Sequence, residues 1–303
     1  MIIDAHQHVC WYGRNDLTML ADMDEQGIGQ AWLLTWEVLP GEDCPGDRTT
    51  YDPQHMRTDG THPGLPLCDA LAARDRFPDR FVAGYCPPPT WPNAAKMFET
   101  ACRMHGVRVC GEWKFRILLD DPRCIELFRK AGELGCPVIV HIDVPYLPDA
   151  KTGELTYQQY WYGGTIDNLA RALAACPQTT FLGHAPGFWR EMGGDAPTRP
   201  EAYPVGPVTP GGRLADLFDA HPNLCGDLSA HSALNAIRRD PAHGRKFILR
   251  FADRLLFGRD YWGGELREFL QSLKLPKAVR DKILFRNAQR LLGGKGGQRK
   301  KRD

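Results

Sequence analysis

The sequence predicts an α/β fold, a single closed (β/α)8 barrel of the TIM type with elongated loops at the C-terminal face and a C-terminal helix. Three observations carry that reading. Short β-rich runs alternate eight times with amphipathic helical stretches. Several runs are almost continuously apolar (AWLLTW, PVIVHI), as parallel strands covered on both faces must be. No strand is followed by the G-x-G-x-x-G or G-x-x-x-x-G-K-[ST] loop that an open doubly wound sheet usually carries. The 303 residues accommodate one barrel of roughly 250 residues plus loops.

In chain order, the predicted strands are Met1–His8, Gln30–Trp36, Arg80–Tyr85, Val107–Phe115, Pro137–Ile142, Thr179–His184, Asn223–Leu228 and Arg254–Asp260. Helices are predicted at Asp16–Gln26, Leu67–Phe77, Asn93–Met104, from Asp121 to Leu134, Thr165–Ala175, Gly212–Ala220, Leu234–Phe251, Glu265–Leu273 and Lys277–Leu292. Asp121-Pro122 combines a capping carboxylate with proline at the first helical position, and Gly135 supplies a left-handed stop. Three connections exceed what a barrel needs: Glu37–Pro66, Asp143–Gly164 and Ala185–Gly211. All three follow strand C-termini, so they are expected to form a lid and pocket, with Trp161, Tyr162, Phe188 and Trp189 as walls. Residues 1–292 are expected to form the one domain. Residues 293–303, GGKGGQRKKRD, have no apolar periodicity and read as a basic disordered tail.

Composition narrows the partners. Net charge is +1, and the basic tail supplies that sign, leaving the remainder net negative. This argues against nucleic acid or an anionic membrane as partner. No apolar run approaches the roughly 20 residues of a membrane span, and the N-terminus lacks a secretory pattern. Ten cysteines form no C-x-x-C pair and sit mostly in apolar segments, as reduced thiols do in a cytoplasmic protein. The partner that remains is a small-molecule substrate, with homo-oligomerisation left open.

The chemistry gathers at strand ends. In Asp4-Ala5-His6-Gln7-His8, alternation places His6 and His8 on one face, a platform for zinc or a similar divalent metal. His141 ends the fifth strand, His184 the sixth and Asp260 the eighth. A polar residue in that position reads as catalytic rather than structural. Four histidines and an aspartate at one barrel mouth are hard to explain by packing alone. Glu112 and Lys114 share parity on the fourth strand, so either can point inward, and Lys114 is read as half of a buried interstrand salt bridge. Asp227 and Ser229 are expected to orient an imidazole. His55, His62, His105, His221 and His243 receive no role.

With these residues in place, the sequence resembles the amidohydrolase superfamily, in the amidohydrolase-related (amidohydrolase 2) branch that includes aminocarboxymuconate-semialdehyde decarboxylase. The resemblance spans nearly the whole chain and rests on IDAHQH, VIVHI, FLGH, LLFGRDYW and the closing ILFRNAQRLLG. It implies that His6, His8, His141 and Asp260 hold metal. It also implies that His184 binds a second metal or acts on substrate, and that a strand-four carboxylate such as Glu112 bridges two ions. The expected function is a metal-dependent hydrolase cleaving a C–O or C–N bond with activated water, zinc placed ahead of manganese, with Asp260 and His184 catalytic. A non-oxidative decarboxylase with the same ligands is the alternative, and a barrel that only binds ligand is a more distant one.

Overall fold

The structure, a computed structural model, describes residues 1–42, 44 and 46–293. The tail reading for 294–303 therefore lies outside the described residues. All eight predicted strands form, each shorter than its apolar run: β1 Ile3–Gln7, β2 Gln30–Leu33, β3 Phe81–Ala83, β4 Cys110–Trp113, β5 Val138–His141, β6 Phe181–His184, β7 Leu224–Asp227 and β8 Leu255–Leu256. These barrel strands pair in parallel with their neighbours, in the order β1-β2-β3 and β4-β5-β6-β7-β8. The two arcs join into a closed barrel. A parallel bridge links Gly84 to Val109, and at the seam Ala5 N donates to Phe257 O at 2.9 Å and Asp260 N to His6 O at 2.8 Å.

The helices are α1 Asp16–Glu25, α2 Leu67–Arg76, α3 Ala94–His105, α4 Pro122–Glu133, α5 Ile166–Ala175, α6 Arg213–Ala220, α7 Ala230–Arg238, α8 Pro241–Arg250 and α9 Glu265–Ser272. Asp121 caps α4 by accepting from Arg123 N, with Pro122 at the first position. The same Asp-Pro signal explains a correction: the single helix expected over Leu234–Phe251 is two. Pro241 has no N–H to continue a helix and disfavours helical backbone before it. Asp240 sits at φ −140° and caps α8 through His243 N. The C-terminal helix is present, with a π-helical stretch at Lys282–Arg286 between Lys277–Asp281 and Asn287–Gly293. No helix among the described residues is long and apolar enough to cross a membrane.

Two apolar layers result. Between strands and helices lies the larger core, including Phe98, Trp113, Phe128 and Phe181. Inside the barrel, Ile3, Ala5, Trp32, Leu34, Val109, Ile139, Leu182, Cys225 and Leu256 pack together, with Ala288 of the final helix among them. The lumen is filled from the N-terminal end, so polar groups can gather only at the other end. There the chain turns sharply: Ala185, Ala230 and Asp260, just beyond β6, β7 and β8, have φ of +78°, +60° and +64°. Such backbone is unfavourable for residues with a Cβ and clusters at functional sites.

Candidate metal centre

The strand registers bring the predicted residues together. His141 and His184 are direct partners across β5 and β6. His6, His8, Glu112, His184 and Asp227 are all buried at the C-terminal mouth, and Asp260 is only partly exposed. Gly258 permits the closest approach, because a Cβ there would lie 2.7 Å from Asp227 Oδ1 and 3.1 Å from His6 Cβ.

Each imidazole has one nitrogen fixed by the scaffold and the other turned to the centre. His6 Nδ1 is 2.6 Å from Asp227 Oδ2, His8 Nδ1 is 2.9 Å from Leu34 O, and His184 Nδ1 is 2.9 Å from Ser229 Oγ. That leaves the three Nε2 atoms facing one another. His141 is reversed: Asp143 Oδ2 holds its Nε2 at 2.8 Å, and Nδ1 faces Glu112 Oε1 at 2.6 Å. Pinning the far nitrogen to a carboxylate, carbonyl or hydroxyl is how proteins orient metal-binding histidines.

Glu112 stands between two groups. Its Oε2 lies 3.4 Å from His8 Nε2 and 4.0 Å from His6 Nε2, whereas Oε1 faces His141 and lies 3.7 Å from His184 Nε2. Asp260 closes the other side, with Oδ1 3.6 Å from His6 Nε2 and 3.5 Å from His8 Nε2, and Oδ2 3.9 Å from His184 Nε2. Three overlapping sets of donor atoms can therefore hold a cation: His6, His8 and Glu112; His6, His184 and Asp260; and Glu112, His141 and His184. His141 groups with Glu112 and His184 and not with His6 and His8.

The electrostatics favour positive charge. Burial alone would drive His6 toward neutrality, but Asp227, Asp260 and Glu112 outweigh it and lift its pKa to about 10. Burial would raise Glu112, yet His141 and His6 hold it well below the usual carboxylate range. Asp260 goes the other way, raised by burial and by the Glu112 charge. Imidazoles, carboxylates and an excess of negative charge form a donor set that suits zinc, and the residues fit a divalent metal.

The cavity above the cluster has a volume of about 160 Å³. Its aromatic walls include Trp11, Tyr12, Trp36, Tyr203 and Tyr261, so the expected walls need correcting. Phe188 and Trp189 are buried behind the strands, Phe188 against Phe218 and Trp189 against Phe247, with Trp189 Nε1 donating to Asp227 O. A loop aromatic that follows a buried strand end can turn into the core as readily as into a pocket. Trp161 does not line the cavity, and donates to Tyr157 Oη.

Lys114 also departs from its reading. No carboxylate among the described residues pairs with it, and its Nζ lies over the Trp36 ring at 3.5 Å and the Tyr162 ring at 5.1 Å. Among the described residues it is the one lysine or arginine lining the cavity. Arg48 and Arg57, on the long second loop, do not line it. Asp4 reaches His6 only through its backbone N–H; its carboxylate accepts from Arg259 Nε at 2.6 Å and Gln7 Nε2 at 3.0 Å, tying β1 to the segment after β8. Sequence reasoning missed Asp143, although parity with His141 on one strand face pointed to it. His231, at the start of α7, lines the rim beside Tyr261.

A closed barrel with histidines and carboxylates at its C-terminal mouth defines a class of metal-dependent barrel enzymes. Within that class the chain belongs to the amidohydrolase family, in its amidohydrolase-2 branch: the family profile matches residues 3–294. No curated protein matches the sequence. Solved structures share the fold. An uncharacterized TIM-barrel protein from Bordetella bronchiseptica superposes with a TM-score of 0.64 at 19% identity, covering 96% of this chain and 98% of its own. A putative 2-pyrone-4,6-dicarboxylic acid hydrolase from Pseudomonas putida gives 0.59 at 15% identity, covering 96% and 97%. A dihydroxybenzoic acid decarboxylase from a Polaromonas species, with bound manganese and an inhibitor, gives 0.55 at 18%, covering 91% and 85%.

Proposed function

We propose that the protein is a metal-dependent hydrolase that cleaves a C–O or C–N bond in a small anionic molecule. The observation that carries this reading is Glu112, whose two oxygens face separate histidine groups, the arrangement of a carboxylate shared by two cations. His6, His8 and Asp260 would hold one, and His141 and His184 the other, with zinc ahead of manganese for an imidazole-rich set. Divalent metal there supplies a water acidic enough to ionise near neutral pH and an electrophile for a carbonyl oxygen.

The chain's own residues do the rest. Asp260 accepts the proton of the attacking water, since burial and Glu112 make its carboxylate more basic than usual. Asp227, Ser229, Leu34 and Asp143 keep the four imidazoles aimed. His184 then serves as a ligand more than as a substrate contact, because its Nε2 sits between Glu112 and Asp260. Lys114, held over Trp36, binds the anionic group of the substrate.

Lys114 also favours a second reading. A carboxylate docked on it is what a non-oxidative decarboxylase on the same ligands needs. A panel of lactones, amides and aromatic carboxylates separates the two, by hydrolysis product against released carbon dioxide. Lys114→Met keeps the stem on Trp36 and removes the charge. For anionic substrates KM is expected to rise roughly ten- to hundredfold, the loss of one charge-assisted hydrogen bond, and neutral analogues should not respond. An equal response from both would remove Lys114 from substrate binding.

A further inference from the structure

Away from the barrel mouth, the fold sets two cysteines from different elements side by side. Cys102 lies in the last turn of α3, and Cys136 lies between α4 and β5. Their sulfurs are 3.9 Å apart, although 34 positions separate them in the chain. Both backbones are fixed. Helix α3 packs along α4, and Cys102 O accepts from Gly106 N at 3.1 Å where α3 stops. Cys136 N donates to Ala131 O at 2.9 Å, after Gly135 turns the chain at φ +68°. Cys136 is buried, whereas Cys102 is half-buried and opens the pair to solvent.

We propose that Cys102 and Cys136 form a reversible disulfide when the protein meets a peroxide, a redox site separate from the metal centre. The two sulfurs take different parts. Donation from the Cys102 thiol and the Arg108 guanidinium hold the Cys136 thiol below its usual range against its burial, and the same sulfur–sulfur hydrogen bond pushes Cys102 up. Cys136 thiolate attacks one oxygen of hydrogen peroxide, and the O–O bond breaks. The departing hydroxide takes up the proton that Cys136 released and leaves as water, so the sulfur is oxidised to a sulfenic acid and the peroxide is reduced. Cys102 then attacks Cys136 Sγ. The S–OH bond breaks, and its hydroxide leaves as a second water with the Cys102 proton. Two thiols and one peroxide become one disulfide and two waters.

A second pair shows what the first has in addition. Cys86 and Cys110 are as close, at 3.8 Å, but both are fully buried and closed to peroxide. They pack as small apolar side chains. The Cys102–Cys136 bond would tie the end of α3 to the start of β5, the strand whose other end carries His141. That is the N-terminal face of the barrel, which serves stability and not chemistry. The plain alternative is that Cys102 and Cys136 are also no more than packing.

Full-length protein, reduced and then exposed to hydrogen peroxide, tests the proposal by alkylation of the remaining thiols after unfolding, followed by peptide mapping. A cross-linked Cys102–Cys136 peptide should appear and be lost again on treatment with dithiothreitol, whereas Cys86 and Cys110 should stay open to alkylation. The oxidised wild type should melt about 5 °C above the reduced protein, since the bond restricts the unfolded chain. Cys102→Ser should give no cross-link and no such rise, and should leave Cys136 as a sulfenic acid that dimedone traps. Peroxide-treated wild type in which Cys102 and Cys136 both still alkylate, or in which Cys136 is oxidised while Cys102 stays free, would overturn the site. Neither result depends on how the variant folds.

Discussion

Asp260→Asn is expected to lower kcat about 10²–10⁴-fold while the protein stays folded and keeps its metal. The amide preserves the shape and one ligating oxygen but cannot accept a proton. Asp260 is placed for both tasks, with Oδ1 toward His6 and His8 and Oδ2 toward His184. Its backbone is also committed: φ is +64°, and its N–H donates to His6 O across the barrel seam. A purely structural aspartate at this turn would instead show a lowered melting temperature with chemistry intact. The kcat of metal-loaded Asp260→Asn, measured beside its melting temperature, separates the two. A folded, metal-loaded variant with nearly full activity would remove the proton-acceptor role.

The second large effect is expected from a residue that touches neither metal nor substrate. Asp227 is fully buried and holds His6 Nδ1 at 2.6 Å, with His184 Nδ1 at 3.5 Å. Asp227→Asn should weaken metal binding roughly 10–100-fold, the usual consequence of releasing an imidazole's far nitrogen. The readout is metal affinity by competition with a chelator. Excess metal should restore part of the rate, which it could not do for a variant that had lost a reacting group. Unchanged affinity would mean that the His6–Asp227 pair is only a core ion pair.

These effects follow from features that differ in how far the sequence shows them. The strand-end histidines were readable because a parallel barrel strand is apolar almost throughout, so a terminal His141 or His184 stands out. The alternation of His6 with His8 is a local property of β1. Asp227 and Ser229 were readable as orienting groups by the same logic, from the end of β7. Lys114 was not. Its partner Trp36 is remote in sequence, three residues past the end of β2, and only the folded chain brings ring and ammonium together. Phe188 and Trp189 show the reverse error, since nothing local distinguishes a loop aromatic that lines a cavity from one that packs against Phe218 or Phe247. The Leu234–Phe251 stretch was misread for a local reason: its apolar spacing continues through Asp240-Pro241, where the backbone cannot.

The cluster around Glu112 is proposed as a metal centre on which catalysis depends. Elemental analysis counts its metal, with activity followed through chelation and reloading. Two equivalents of divalent metal per chain are predicted, with activity lost on chelation and regained when zinc or manganese is returned. Protein from a metal-replete preparation that binds none, or chelated protein that keeps its full activity, would contradict the account.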